Sequence, residues 1–470
     1  MVVYTTSIPL IPQFYAGKSI FITGSSGFMG KVLVERLLST CPDIGRLYLL
    51  MRPKRDVSPE KRLLHLKQSQ VFDIIRQQCP SQLEKLVIIP GDTSLPDLGI
   101  ELEYQPLLQD ISIVFHSAAT LKFDEPLKNA VKQNVQSVIR IMELCDAMPR
   151  IQAFVYVSTA YSNPELTTVE ERVYKPPKPL QEVLSIADNI SENILNEITK
   201  EYICPKPNTY TFTKALAEVA VVERWNRKYP VAIFRPTIVI SSHMHPFPGW
   251  IENLNGPSGV MVSYGKGLLH AFRVKMHCRA DMMPVDIVID TLIAAAWEIG
   301  TDKPTAVKVY NCSSIENPTT WTDFKRSLTK HTREHPYNNV LWYPCAICVE
   351  NRFLYKILEF LLQTAPLHII QYILDRLQVK IKQNLITANQ RLQSMNDVLG
   401  YFTTKEWTFT NDNVQKLRAK LSNEDREIFN IDVRTVKWND QYEDFVKGTK
   451  KYFMKEKDEE LKEAKLHLDR

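Results

Sequence analysis

The chain of 470 residues has no unbroken apolar run of the about 20 residues that a membrane-spanning helix requires. Its most apolar stretch, FLLQTAPLHIIQYIL (360–374), is shorter and is interrupted by Pro366 and His368. It predicts a packed C-terminal helix pair, with a membrane-surface or re-entrant segment as the alternative. The N-terminal MVVYTTSIPLIPQFYAGK lacks the basic start and long apolar core of a signal peptide. The C-terminal KLHLDR is not a peroxisomal address. These readings predict an intracellular protein. The eight cysteines are scattered, which excludes a disulfide framework and fits a reducing compartment. The CAIC pair, Cys345 and Cys348, lacks two further ligands at zinc spacing, so no metal is expected. The net charge of +5 is mild, and no basic tract is dense enough to propose nucleic acid.

The composition is that of a folded protein, with 44% hydrophobic and 24% charged residues. The length exceeds one simple core and implies two or three domains or one large domain with an appendage. The first half alternates buried-looking runs with amphipathic stretches. The runs are SIFITG (19–24), RLYLLM (46–51), KLVIIPGD (85–92), ISIVFHSAA (111–119), AFVYVST (153–159) and VAIFRPTIV (231–239). Each reads as a continuous buried run rather than a strict alternation, the pattern of parallel strands covered on both faces. Between them lie stretches such as KVLVERLLST (31–40) and AVKQNVQSVIRIMELCDAM (130–148). The alternation predicts an α/β, doubly wound, Rossmann-like parallel sheet.

After about residue 240 the pattern changes. HPFPGWIENLNGPSG (245–259) reads as a loop. From about 355 helical periodicity dominates, as in DRLQVKIKQNLITANQRLQSMNDVL (375–399). The expected layout is an N-terminal tail (1–15) and a reductase-like domain (16–340) whose substrate part spans about 240–340. A helical C-terminal domain (355–455) and a charged tail (456–470) follow.

The motif FITGSSGFMGKVLVERLL sets Gly24, Gly27 and Gly30 between the first strand and the first helix. Glycines there permit a tight turn and close approach of a pyrophosphate, which the helix N-terminus attracts. A dinucleotide site preferring NAD would place an acid at the end of the second strand. Here Arg52, Lys54 and Arg55 stand in that place, which suits a 2′-phosphate and implies NADPH. Lys54 and Arg55 read equally as surface charges at a strand end. Asp92 in PGD either reaches the adenine or is a turn residue.

In NTYTFTKALAE (208–218), Asn208 or Thr209 caps a helix on which Tyr210 and Lys214 lie about 40° apart. Phe212, Leu216 and Val219 face roughly the other way. A carbonyl that accepts hydride needs a proton, and tyrosine starts near pKa ~10. A neighbouring ammonium and the cationic oxidised nicotinamide are expected to lower that value. YVSTAYS supplies a further hydroxyl at a strand end: Thr159 first, Ser158 second.

These motifs resemble the extended short-chain dehydrogenase/reductases and, more closely, the eukaryotic fatty acyl-CoA reductases. The stretches that carry the resemblance are FYAGKSIFITGSSGFMGKVLVERLL, VFHSAATLKFDE, YVSTAYSN, PNTYTFTKALAE, RPTIV, PFPGWIENLNGP and DMMPVD. LGYFTTKEWTF (399–409) and DREIFNIDVRTVKW (425–438) match the part called the male-sterility domain. The resemblance implies that Gly24, Ser25, Ser26, Gly27, Phe28, Met29 and Gly30 form the phosphate loop. It places Ala118 and Ala119 beside the adenosine, and Pro236 among the residues near the nicotinamide. It makes Asn134 a prop for the lysine through water, and Thr159, Tyr210 and Lys214 the catalytic group. It implies two successive NADPH-dependent reductions, of a fatty acyl-CoA to an aldehyde and of the aldehyde to a primary alcohol. The aromatic loop 245–259 and the C-terminal helices would supply an apolar groove. By analogy the enzyme would sit peripherally on endoplasmic reticulum, lipid droplet or peroxisome. A steroid or nucleotide-sugar reductase, or an inactive lipid-binding scaffold, are the alternatives. PFPGWIENLNGP argues against the first, and the intact Tyr210, Lys214 and Thr159 against the second.

Overall fold

A strand that is apolar at every position must be covered on both faces, and a parallel sheet between helix layers does this. In the computed structural model, which describes residues 9–53, 57–378 and 384–469, all six such runs enter one parallel sheet. They are β1 (Ser19–Thr23), β2 (Leu47–Met51), β3 (Leu86–Pro90), β4 (Ile111–His116), β5 (Ala153–Val157) and β6 (Val231–Pro236). A seventh strand, β7 (Lys308–Cys312), completes the order β3-β2-β1-β4-β5-β6-β7. The chain order reverses between β1 and β4, so the carboxyl ends of these two strands flank a crevice, the usual ligand position in such sheets. Strand β7 has no counterpart in the sequence reading. KVYNC is short and polar at both ends, and its Lys308 and Asn311 are satisfied by distant groups. Lys308 pairs with Glu298 at 2.6 Å, and Asn311 Nδ2 donates to Val169 O and Thr410 O at 3.0 and 2.8 Å.

Three helices position the site. Helix α2 (Phe28–Thr40) leaves the glycine turn after β1, α3 (Pro59–Lys67) follows β2, and α5 (Thr209–Arg224) precedes β6. A π-turn at Lys132–Gln136 leads into α4 (Ser137–Asp146). Phe212 and Leu216 of α5 share one buried core with Phe21, Val114, Phe154 and Ile233 of the sheet. Asn208 is the cap: its Oδ1 accepts from Thr211 N at 2.9 Å.

The chain forms two compact units. The first gathers the chain up to Val239, Met283–Ile315 and Thr408–Val433. The second gathers Ile240–Met282, Glu316–Trp407 and the chain from Arg434 onward. This partition differs from the contiguous division near residues 340–355 that composition suggests. Thr408–Val433 returns to the first unit because Thr408–Phe409 pairs in parallel with Thr168–Val169, and Phe409 is buried against Tyr161. The long helix α6 (Val285–Asp302) packs on α2. Arg36 and Asp290 form a buried ion pair there at 2.7 Å, and Arg36 also donates to Ile428 O. The expected N-terminal tail is also corrected. Leu10–Tyr15 is a helix, α1, with Ile11 and Tyr15 buried and the Tyr15 hydroxyl donating to Ile293 O at 2.8 Å.

In the second unit, α7 (Trp321–Glu334) packs on α11 (Trp438–Gly448). Between them run α8 (Arg352–Glu359), a π-turn, α9 (Ala365–Arg376) and α10 (Leu385–Thr403). The aromatic loop packs inward: Trp250 and Ile251 are fully buried. Gly249 and Gly448 let the loop meet α11, since a Cβ on Gly448 would lie 1.7 Å from Gly249 O.

Candidate active site

The glycine turn is forced by close backbone packing. Gly24 has φ +76°, and a Cβ there would lie 2.8 Å from Ala118 N. A Cβ on Gly30 would lie 2.1 Å from Gly24 O. Inside the turn the Ser25 hydroxyl is buried and has no hydrogen-bond partner. Gly27, Phe28 and Met29 form the start of α2, whose first-turn amides lack helical acceptors. A buried orphan hydroxyl in a glycine cradle at a helix N-terminus fits a bound phosphate.

Cations gather beside this turn. Arg52, at the end of β2, pairs with Asp92 at the end of β3 at 3.1 Å. Asp92 also caps its own turn, accepting from Ser94 N at 2.9 Å. Burial acts to raise its carboxyl pKa, but the Ser94 and Arg52 hydrogen bonds outweigh that and hold it below the ordinary range. Arg62, on α3, was not singled out from the sequence. It donates to Ser26 Oγ at 2.7 Å and to the carbonyl of Arg52. Partial burial and the neighbouring Arg52 charge both lower its pKa. Two guanidiniums brought together beside a phosphate cradle make an anion site. The only sequence signal for Arg62 was its place one turn inside a helix opened by Ser58 and Pro59. Lys54 and Arg55 lie outside the described residues.

The crevice floor is neutral. Ala118 N donates to Thr23 Oγ1 at 3.1 Å, and Thr23 Oγ1 meets His116 Nδ1 at 2.7 Å. His116 is pushed down to about 3 by burial and then by Lys214, so it carries no charge. Ala119 follows on the same strand end. Asn134, fully buried in the π-turn, accepts from Thr120 N at 2.9 Å and donates to Thr213 Oγ1 at 3.0 Å. Its amide therefore ties the 118–125 loop to α5 beside Lys214 rather than bonding the lysine itself.

Tyr210, Thr159 and Lys214 meet where β5 ends. The Thr159 side chain is near enough to Tyr210 to pull its pKa down, and Phe123 sits edge-on to the Tyr210 ring at 5.4 Å. Lys214 Nζ donates to Val157 O at 2.8 Å and to the Tyr156 hydroxyl at 3.3 Å. Burial pushes Lys214 down to about 7, against the opposing pull of Glu218. Burial pushes Tyr210 up to about 12, with Thr159 acting the other way. Within the protein itself desolvation outweighs Thr159, and the lysine is not among the groups that move the tyrosine.

Ser158 is committed elsewhere. Its hydroxyl donates to Glu218 Oε1 at 2.6 Å, and Glu218 is held by Arg235 through two bonds of 2.8 and 2.6 Å. Ser158 thus locks the end of β5 to α5, while Thr159 is left to face the tyrosine. Pro236 ends β6, the strand next to β5, and pairs in register with Cys312.

Comparison with known proteins follows the same outline. A family described as Male sterility protein matches residues 22–292, and a second region of the same description matches 362–456. Fatty acyl-CoA reductase 1 of Xenopus laevis is 37% identical over 462 residues, 98% of this chain and 89% of that protein. Human fatty acyl-CoA reductases 1 and 2 are each 35% identical with the same coverage. Among solved structures, the terminal R domain of the myxalamid biosynthetic pathway superposes with a TM-score of 0.59 at 15% identity, covering 92% of this chain and 90% of that one. A UDP-glucuronic acid 4-epimerase from Bacillus cereus in complex with NAD superposes at 0.53 with 13% identity, covering 94% of this chain and 99% of that one. These two likenesses are of fold.

Proposed function

This chain belongs to the male sterility family, with the fatty acyl-CoA reductases, and from that premise we propose that it reduces long-chain fatty acyl-CoA to primary alcohol. The reaction passes through the fatty aldehyde, consumes two NADPH and releases coenzyme A. The observation that carries the reading is the convergence of Tyr210 and Thr159, with Lys214 behind, at the same sheet edge as the glycine cradle.

NADPH, when bound, supplies the hydride in each reduction. Gly24, Ser25, Ser26, Gly27, Phe28, Met29 and Gly30 would hold its phosphates, and Ala118, Ala119 and Asp92 would flank its adenosine. Arg52 and Arg62 would take the 2′-phosphate, which favours NADPH over NADH. Asn134 supports the loop beside Lys214, and Pro236 borders the nicotinamide end.

The chain's own residues manage the proton. At neutral pH Tyr210, at about 12, keeps its hydrogen and acts as the donor. Thr159 and Tyr210 together bind the substrate carbonyl oxygen, where negative charge develops. In the first reduction Tyr210 protonates that oxygen, giving a hemithioacetal. Its C–S bond then breaks: the hydroxyl loses its proton, the aldehyde C=O forms, and coenzyme A leaves as the thiol. In the second reduction Tyr210 protonates the aldehyde oxygen to give the alcohol. Lys214, at about 7, exchanges protons readily near neutrality and refills the tyrosine. The long-chain substrate and alcohol both partition into lipid. That property fits work at the surface of endoplasmic reticulum, a lipid droplet or a peroxisome.

The test is NADPH oxidation by the purified protein with acyl-CoAs of several lengths, together with product analysis. Fatty alcohol is the expected product. Folded protein that binds NADPH yet oxidises none with any acyl-CoA would refute the reading.

A further inference from the structure

Helices in water hide apolar residues and expose polar ones. The segment Arg352–Arg376 does the reverse. Its buried stripe is Tyr355, Glu359, Gln363, Leu367 and Gln371, three of them polar and one ionisable. Its outward residues are apolar: Phe353 is 76% exposed, Phe360 56%, Leu361 58% and Ile369 60%, while Gln363 is fully buried.

Apart from the Tyr355 hydroxyl, which has no hydrogen-bond partner among the described residues, the polar groups of this stripe are satisfied within the second unit. Gln363 donates to Asn389 Oδ1 at 2.7 Å and accepts from His270 N at 3.2 Å. Asn389 donates to Thr364 Oγ1 at 2.8 Å, and Gln393 donates to Glu359 Oε1 at 2.8 Å. Gln371 Oε1 accepts from Leu385 N at 3.0 Å. A hydrogen-bonded polar interior under an apolar exterior is the arrangement of helices whose outer solvent is hydrocarbon.

We propose that the outward face of Arg352–Arg376 is a lipid-docking surface that seats the protein in one leaflet of a phospholipid membrane. The geometry favours a leaflet over a second copy of the chain. Neighbours such as Phe353 and Leu354 of α8 lie about 100° apart on the helix, and both are exposed. A partner helix covers a narrow seam, whereas acyl chains wet a wide arc. Arg352 is exposed at one end of the face, and Arg376 is exposed at the other, where it adjoins the exposed Asp375. Between Phe353 and Leu374 no acidic side chain is exposed: Glu359 is buried, and the half-buried Lys356 pairs with Asp397 at 3.1 Å. Of the other outward polar groups, His368 binds Thr364 O through Nδ1 at 2.8 Å, and the Tyr372 hydroxyl accepts from Arg376 Nε at 3.1 Å. Trp342 and Tyr343 are exposed beside this region, and Trp342 sits edge-on to His270, which Gln363 holds. Indole and phenol rings with guanidiniums suit the headgroup boundary. The segment lies flat in the leaflet rather than crossing it, because its inner stripe is bonded to α10. This inference stands apart from the reductase reading.

The test is flotation of the full chain with phosphatidylcholine vesicles, with and without phosphatidylserine. Wild-type protein should float. The triple variant Phe360→Ser/Ile369→Ser/Ile373→Ser should lose partitioning by more than tenfold with its circular dichroism unchanged. Arg352→Gln/Arg376→Gln should lose only the gain that phosphatidylserine brings. If the triple variant does not fold, Phe360→Trp gives the answer: brominated lipid should quench its fluorescence beyond that of wild type. Partitioning unchanged in the triple variant would overturn the proposal, as would absence of extra quenching. So would a lipid-free dimer that the triple variant converts to monomer while vesicles bind neither form.

Discussion

Tyr210 and Lys214 are neighbours on one helical face, yet burial moves them in opposite directions, the tyrosine to about 12 and the lysine to about 7. Tyr210→Phe keeps the ring against Phe123 and removes the proton. It should bind NADPH normally and lose turnover by roughly 100-fold or more, measured as kcat beside a cofactor titration. The lysine has a consequence for stability. Its folded pKa of about 7 lies below its unfolded value of ~10.4. Between those values the unfolded chain binds the proton and the folded chain does not, so this contribution to stability rises with pH. It is lost as pH falls towards 7. The thermal midpoint of ligand-free protein, relative to that of Lys214→Met, should rise between about pH 7 and about pH 9; a parallel pair of curves would contradict the assignment. On the proposed reading Arg62 favours NADPH over NADH. Arg62→Ala removes one charge-assisted contact, about 1.5–3 kcal/mol. It should raise KM for NADPH by roughly 10-fold or more and leave KM for NADH nearly unchanged. Arg62 was hidden from sequence reading because its partners, Ser26 and Arg52, are brought to it by the turn of the sheet. Arg52 was legible because it stands at the end of the second strand, where dinucleotide folds place the residue that reads the ribose.

At the scale of the element, six strands were legible because each is a continuous apolar run and a doubly wound sheet is the setting that requires one. β7 was not, because its polar residues find partners in Glu298, Val169 and Thr410 that no local pattern reveals. The same blindness affected Ser158. Two adjacent hydroxyls at the end of β5 looked interchangeable, but Glu218, sixty residues on, claims one of them. The prediction separates them. Thr159→Val should lower kcat. Ser158→Ala should leave kcat within a few-fold and instead destabilise the protein by about 1–3 kcal/mol, since it removes a buried bond to a charged group.

At the scale of the whole molecule, the division of the chain was the least legible feature. The pattern changes near residue 355, but Thr408–Val433 rejoins the first unit through a two-residue ladder, the Asn311 bond to Thr410 O, and the buried Arg36–Asp290 pair, which binds Ile428 O and Asn430 N. Arg36 and Asp290 sit at that junction, and removing one partner strands a buried charge. Arg36→Met should therefore destabilise the protein by about 3–5 kcal/mol, read as a fall in the denaturant midpoint without change in the KM for NADPH of the folded fraction. The six-strand sheet edge, the glycine turn and the Tyr210–Lys214 helix could all be placed from sequence because each is local. The partition of the chain depends on side chains far apart in sequence.

The central claim is that one hydroxyl pair, Tyr210 and Thr159, serves both reductions. It is tested most directly by the ratio of NADPH oxidised to fatty alcohol formed when the purified protein meets a long-chain acyl-CoA, with fatty aldehyde supplied separately as a second substrate. The account predicts two NADPH per alcohol from acyl-CoA, one from aldehyde, and loss of both activities in Tyr210→Phe. Loss of only one of the two in that variant, or aldehyde accumulating as the end product in wild type, would contradict it.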